Sequence, residues 1–511
     1  MLAAVVFPAV LAFGQDTPAP SLPSVTRLLD VVRTTVAHNP NVSIQRQQVE
    51  FSKGALQQAS GQFDETVLLS LSRSRVDSPI SSAQDLKEDI TAYTLSLSRQ
   101  LRSGITLSPS LSLSRTKAIS PAARQSLGAD TANQAAFSFS VTVPLLKGRG
   151  EDVTAANEKA AKSLYEADVL LLNHSIAQNV FNAVRAYWAW VAAVKRLAIF
   201  AESERRAQVL LGNTRKLIEH DQRPASSIDL VEANLSSKRG SRIFAEQDLA
   251  DARKELGLVM GLNAVEIAGL GAPSGNELAQ EDGIRPPGQD RDRFFIELGL
   301  AGRSDLKSLL KRQEAANTEM IAAKKNILHQ LDLNLQAGYN SLTDRDTFGD
   351  YFTAYGHNMS GLNTAVSLKY RWPVRNNEAR GFYVQQKANY EKSVIDATYA
   401  AKTVSAEVAN TLSSLRKASL QLTEARAAVL SYRRAVESEN RKFTLGMSTL
   451  NDVITNENFL VSALLDEVAS LQNVAGAIIA LRVQTGAIIL PGADAHTISL
   501  RELTTVPETA N

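Results

Sequence analysis

The chain has 511 residues, 55 basic against 53 acidic, and a net charge of +2. That balance excludes a dedicated nucleic-acid surface, which needs a clustered basic excess, so no nucleic-acid partner is expected. There is no cysteine, which excludes disulfides, thiolate metal sites and a lipidated cysteine anchor.

Met1 to Gly14 is an uncharged apolar run, too short to span a bilayer as a helix. Ala12 and Gly14 stand at the −3 and −1 positions of a cleavage site. Residues 1–14 therefore read as a secretory signal peptide cut before Gln15, although the usual basic flank is missing. No later window offers ~18 uncharged apolar residues, so any membrane insertion has to use strands.

Residues 15–23 form a Pro/Ser linker, and a helical pattern follows to about Gly61, broken once at Asn39-Pro40. From Thr66 the period changes to two, in TVLLSLSRSR, ITAYTLSLSRQL, GITLSPSLSLSR and AAFSFSVTVPLL. Phe137, Phe139, Val141 and Val143 alternate with Ser138, Ser140 and Thr142, one face apolar and one small and polar. Each segment is long enough for a tilted strand to cross a bilayer. Residues 76–89 and 117–134 read as long polar loops, whereas Arg102-Ser103-Gly104 is a tight turn. Short turns on one side and long loops on the other are the habit of outer-membrane barrels.

From Glu151 the period is helical. Tyr165, Val169, Leu172, Ile176, Val180, Ala183, Tyr187, Trp190 and Val194 form one apolar stripe. No proline occurs before Pro224, so the helix can run roughly 70 residues, or about 105 Å. The chain turns near Arg223, runs helical again to about Gly261, and meets a Gly/Pro-rich interruption.

The second half repeats this plan. LDLNLQAGY and AVSLKYRWPV read as strands, a second Pro-free helix follows, and the chain turns at Gly446. Residues 218–237 and 441–460 align with Asp229 under Asp452 and Ser226 under Thr449, so one turn is written twice. The shorter helical arms, 226–262 with 292–327 and 25–62 with 449–487, add in pairs to about the length of one unbroken helix. This describes a helical cylinder ~100 Å long with strands at one end and turns at the other. The expected divisions are 1–14 signal peptide, 15–23 linker, 24–271 first repeat with strands at about 64–145, and 272–291 equatorial linker. A second repeat at 292–490, with strands at about 331–374, and a tail at 491–511 complete the chain.

Over residues 24 to 490 this order resembles the TolC-type outer-membrane efflux proteins. The most specific piece is FTLGMSTLNDVITNENFLVSALLDE from Phe443, and PLLKGRG at Pro144 is similar to the family's strand-to-helix junction. The resemblance implies an α+β membrane protein, in which three protomers close one outer-membrane β-barrel continuous with a long periplasmic α-helical barrel. It implies an exit duct for efflux or type I secretion, partnered by a periplasmic adaptor, an inner-membrane pump and outer-membrane lipid. The family commonly has two strands per half; the four segments of the first half suggest eighteen strands per trimer, against twelve if residues 90–117 form an extracellular hairpin. The adaptor is expected at the hairpin tips, Arg223, Pro224 and Ala225 in the first and Leu445, Gly446, Met447 and Ser448 in the second. Arg223-Pro224 stands where the family usually has glycine.

The resemblance places Asp452 in the lumen at the narrowest point, giving a ring of three carboxylates; Asp229 is the candidate for a second ring. The alternative for both acids is a first-turn helix role, satisfying the dipole and free N–H groups. Ser226 and Thr449 read as N-caps. Phe443 has no hydroxyl and Ser448 no charge, so any latch there is expected to be packing rather than a polar tie. The six histidines are scattered and no GxSxG, HExxH or phosphate loop occurs. No catalytic residue, cofactor or metal is expected. The competing reading is a structural coiled-coil envelope protein or adhesin stalk, which would show sustained heptads and would not need a duplicated strand–helix unit.

Overall fold

The computed structural model describes residues 25–81, 84–220, 223–274, 286–343, 361–488 and 500–507; the signal-peptide and linker readings lie outside them. The first described part runs β1 (Val25–Thr26), α1 (Leu28–His38), α2 (Pro40–Ser60), β2 (Thr66–Ser81), β3 (Gln84–Gln100), β4 (Thr106–Ala118), α3 (Pro121–Leu127) and β5 (Thr131–Pro144). Then come α4 (Glu151–Thr154), α5 (Ala156–Glu219), α6 (Ser227–Met260), α7 (Ala264–Ala268) and β6 (Ala272–Pro273). The rest is α8 (Asp292–Gly302), α9 (Ser304–Lys325), β7 (Gln330–Thr343), β8 (Asn363–Arg371), α10 (Asn377–Thr444), α11 (Leu450–Gln484) and α12 (Leu500–Thr504). α5 and α10 have 64 and 68 residues, the long helices that the apolar stripe and the missing prolines demand. Two compact units form, one from residues 44–174 and 303–405, the other from the described residues of 1–43, 175–302 and 406–511.

The first unit holds a six-stranded sheet in the order β2-β3-β4-β5-β7-β8, antiparallel throughout. Its register turns the period-two sequence into rows. Leu69, Leu95, Leu111, Phe137 and Tyr339 lie in one row across five strands. One residue along, Ser96, Ser110, Ser138 and Gly338 lie in another, on the opposite face. The polar face bonds to itself: Ser110 and Ser138 hydroxyls meet at 2.7 Å, and Thr142 donates to Asn334 at 2.8 Å. Among the described residues the apolar face has no second layer over it; Leu69 and Leu71 are more than 60% exposed.

Neither expected loop is a plain loop: the first is largely strand, and the second holds strand ends and a short helix. Residues 76–81 continue β2 and pair with β3 back to Ser81 opposite Gln84. The charges that read as loop are cross-strand ion pairs, Arg75 with Asp89 at 2.8 Å and Lys87 with Asp77 at 3.2 Å. Within 117–134, Lys117 and Ala118 belong to β4, and Ser120 caps the short helix α3 by accepting from the Ala123 N–H at 3.2 Å. The helices of this unit share a buried carboxylate. Asp168 on α5 accepts from Ser52 and from Gln48 (3.2 Å) on α2 and pairs with Arg312 on α9.

The second unit has the largest core. Val180, Ala183, Tyr187 and Trp190, four members of the α5 stripe, are fully buried in it. α1 adds Leu28, Val31 and Val32, α6 adds Leu256 and Met260, and α11 adds Ile479 and Val483. α11 is the one described helix long and apolar enough to cross a membrane by length and composition, yet 44% of its apolar window is buried within the fold. Leu503 of α12 joins the same core, and buried Arg482 donates to the Thr505 and Val506 carbonyls. β1 and β6 form a two-residue parallel pair.

The Asn39-Pro40 break is a built corner. Asn39 donates to the Val259 carbonyl at 2.7 Å while its side-chain oxygen accepts from the Asn41 N–H at 2.8 Å. Gly261 ends α6 beside it with φ +78°, and a Cβ there would fall 2.5 Å from the His38 carbonyl oxygen. Gly261→Ala combines a left-handed backbone with that clash and is expected to cost about 1–3 kcal/mol. A lowered thermal midpoint of the detergent-purified protein checks this; an unchanged one would mean the corner gives way.

Candidate functional site at the hairpin tips

Both hairpin tips lie in the second unit. At the second, Gly446 takes φ +74°, and the Met447 and Gly446 N–H groups donate to the Lys442 and Phe443 carbonyls at 2.9 and 3.1 Å. This six-to-one and five-to-two pair of bonds closes α10 in a Schellman motif, which needs the left-handed residue that glycine supplies. Thr449 then opens α11. Its hydroxyl oxygen accepts from the Asp452 N–H at 3.2 Å, and an Asp452 carboxylate oxygen accepts from the Thr449 N–H at 3.3 Å and its hydroxyl at 2.5 Å. This is a capping box with Asp in place of the usual Glu.

At the first tip, residues 221–222 lie outside the described residues. Ser227 and Ile228 N–H groups donate to the Pro224 and Ala225 carbonyls at 3.1 Å. The expected Ser226 cap does not form: Ser226 has φ −62°, ψ −13° and no side-chain capping bond. It is already helical, so its hydroxyl is not aimed back at the N2 and N3 amides as an extended N-cap would be.

The tips are tied to each other. Arg223 donates to the Ser448 carbonyl at 2.7 Å, and its guanidinium lies 5.1 Å from the centre of the Phe443 ring. This corrects the expectation that packing alone holds the two. The Ser448 hydroxyl in turn donates to Glu439, which also pairs with Lys442 at 3.3 Å. Beneath these contacts Leu210, Val231, Phe443, Leu450, Val453 and Ile454 form a small core joining both hairpins. Further from the turns, Arg206 on α5 bonds Glu457 on α11 at 2.8 Å, and Lys238 on α6 bonds Asn458 at 2.5 Å. Burial pushes the Lys238 ammonium below its ordinary range.

The predicted site residues fall as follows. Asp452 is exposed, and one of its carboxylate oxygens carries the cap. Asp229 is exposed in the first turn of α6. Pro224, Ala225, Leu445, Gly446 and Met447 are exposed, and Ser448 is buried. Leu445 and Met447 stand about 70% exposed at the turn, two large apolar side chains with no cover. Glu439 was not foreseen; the signal for it was a carboxylate nine residues before a serine across a glycine turn.

No protein-family model and no curated protein sequence matches the chain. Solved structures do. The outer-membrane channel OprN superposes with a TM-score of 0.63 at 13% identity, over 90% of this chain and 89% of its own. The Campylobacter jejuni CmeC outer membrane channel gives 0.64 at 14%, over 99% and 98%. The open state of the Neisseria gonorrhoeae MtrE outer membrane channel gives 0.62 at 13%, over 95% and 98%. At these identities the likeness is one of fold: the chain has the fold of the TolC-type outer membrane factors.

Thr449→Ala removes one half of the capping box and is expected to cost about 1 kcal/mol, read as amide exchange several-fold faster across residues 449–454 but not near Tyr187. Unchanged exchange at the tip would mean the cap is idle. The Ser448 hydroxyl holds the Glu439 carboxyl below its usual range, with Lys442 helping and Asp452 opposing. A depressed folded-state pKa gives stability that is present above the unfolded value, about 4.3, and lost as pH falls through the folded one. The difference in thermal midpoint between the native protein and Glu439→Gln should therefore be present at pH 6 and shrink below about pH 4; a difference that is flat with pH would sink the assignment.

Proposed function

We propose that the chain is one protomer of a homotrimeric exit duct in the outer membrane, serving a tripartite efflux or type I secretion system. In this reading it passively conducts substrates delivered by an inner-membrane pump through a periplasmic adaptor, and no residue makes or breaks a bond. The observation that carries it is the sheet. One face is a continuous apolar surface without a covering layer among the described residues. Both edge strands are open, β2 with Val67, Leu68 and Leu69 exposed and β8 exposed along its whole length. Unpaired edges are not tolerated in hydrocarbon, so a sheet meant for lipid has to close. Three six-stranded sheets would close eighteen strands, β8 of each protomer on β2 of the next, with lipid against the apolar rows and the Ser/Thr/Asn rows facing water. Tyr370 and Trp372, exposed beside His329 at the end of β8, suit an interfacial aromatic belt.

The fold shared with OprN, CmeC and MtrE, each described as an outer-membrane channel, supports the same reading. We read the chain as two repeats, 24–271 and 292–490, about an equatorial linker at 272–291, with the helices continuing the barrel into the periplasm. The exposed tips, with Leu445 and Met447 bare, are where the adaptor would grip. Asp452 would face the lumen in a ring of three. Its cap uses one oxygen and leaves the other for a cation, so capping and gating coexist. Asp229 would give the second, related ring.

Single-channel recording of the detergent-extracted protein in a planar bilayer, after a mass measurement, tests the reading. A trimer with a small, cation-selective conductance blocked by divalent cations is expected; a soluble monomer without conductance would overturn it. Asp452→Ala is expected to raise the conductance or weaken the divalent block, and no change in either would remove the gate assignment.

A further inference from the structure

Within the helical unit, α5, α10 and α11 enclose a half-open groove of about 630 Å³. Three features give it a chemistry. The first is its charge. Arg185 on α5 and Lys417 on α10 line it, and no carboxylate does. Among the described residues neither cation has an ion-pair partner. Their neighbour Arg416 differs sharply: it is saturated by the Pro287 and Gly288 carbonyls at 2.8 and 3.0 Å and by Asp292. Two cations left uncompensated on one concave wall favour an anion.

The second feature is the apolar wall. Phe181, Arg185 and Trp188 follow at helical spacing on α5. Trp188 is only 3% exposed and packs edge-on against Tyr187 at 5.3 Å, so its ring is fixed. The Arg185 guanidinium lies 5.4 Å from the Phe181 ring centre. Stacking there orients the planar donor fork while leaving its N–H edges free.

The third is room and hydrogen-bonding capacity. Gly476 on α11 borders the groove, and a Cβ there would meet nothing within 4 Å. Ser414 and Gln421 on α10 and Asn473 on α11 also line it, with no hydrogen-bond partner among the described residues. The volume falls in the range of small-molecule sites, which combine an apolar wall with a few convergent polar groups.

We propose that this groove binds a small amphipathic anion: a flat aromatic body against Phe181 and Trp188, with its carboxylate or sulfonate between Arg185 and Lys417. The site stands on this unit's own residues and does not require the duct reading.

The test is calorimetric titration of the detergent-purified full chain with naphthalene-2-sulfonate and with its uncharged isostere naphthalene-2-sulfonamide, each corrected for partition into empty micelles. The sulfonate is expected to bind saturably, one per chain, and at least tenfold more tightly than the sulfonamide. Arg185→Gln combined with Lys417→Gln should erase that preference, and Gly476→Leu, which fills the groove, should abolish saturable binding of both. Equal affinity for the two probes, or binding that survives Gly476→Leu, would overturn the proposal. Absence of saturable binding would overturn it as well, including the case in which a second copy of the chain already fills the groove in the assembled protein. Because binding is read without conductance, any of these results leaves the duct reading to its own test.

Discussion

Every backbone N–H and C=O needs a partner, and a sheet has two edges where the partners run out. In this chain that constraint organises the rest. Five strand junctions in register carry an apolar face that no helix covers among the described residues, and β2 and β8 are not paired with each other within one chain. The helices do the complementary work. Their apolar residues are spent on each other, in the core around Tyr187 and Ile479 and in the smaller one around Phe443 and Val453.

Charge is used sparingly inside and freely outside. Asp168 is buried, and it is satisfied by a hydroxyl, an amide and a guanidinium from two other helices, as a buried carboxylate has to be. Arg482 is buried too and is spent on main-chain carbonyls that pin the segment after α12. The long helices otherwise carry surface pairs such as Arg205 with Glu202 and Lys392 with Asp396, each worth little alone.

Much of this was legible in the sequence because it is periodic. Alternation in AAFSFSVTVPLL could only suit a two-faced strand, and the 3.6-residue stripe through Val180, Ala183 and Tyr187 could only suit a helix buried on one side. Where the period is masked, reading failed. Residues 76–89 are polar enough to resemble a loop, yet they are strand because their charges are matched across the ladder. β1 and β6 are two residues each, too short to have a period. At the tips, glycine and the Thr449 cap announced themselves by residue type. The Arg223 tie did not, since its acceptor is a carbonyl that every residue possesses.

That last contact has a genetic consequence. Because Arg223 is held by the main chain of Ser448 and by the face of Phe443, replacement of the serine side chain leaves the acceptor in place. The two positions therefore have no reason to change together over descent, and covariation between them would be silent even though they touch. The selective burden falls on Arg223 and Phe443 alone, where lysine would keep the charge but lose the planar fork that stacks on the ring.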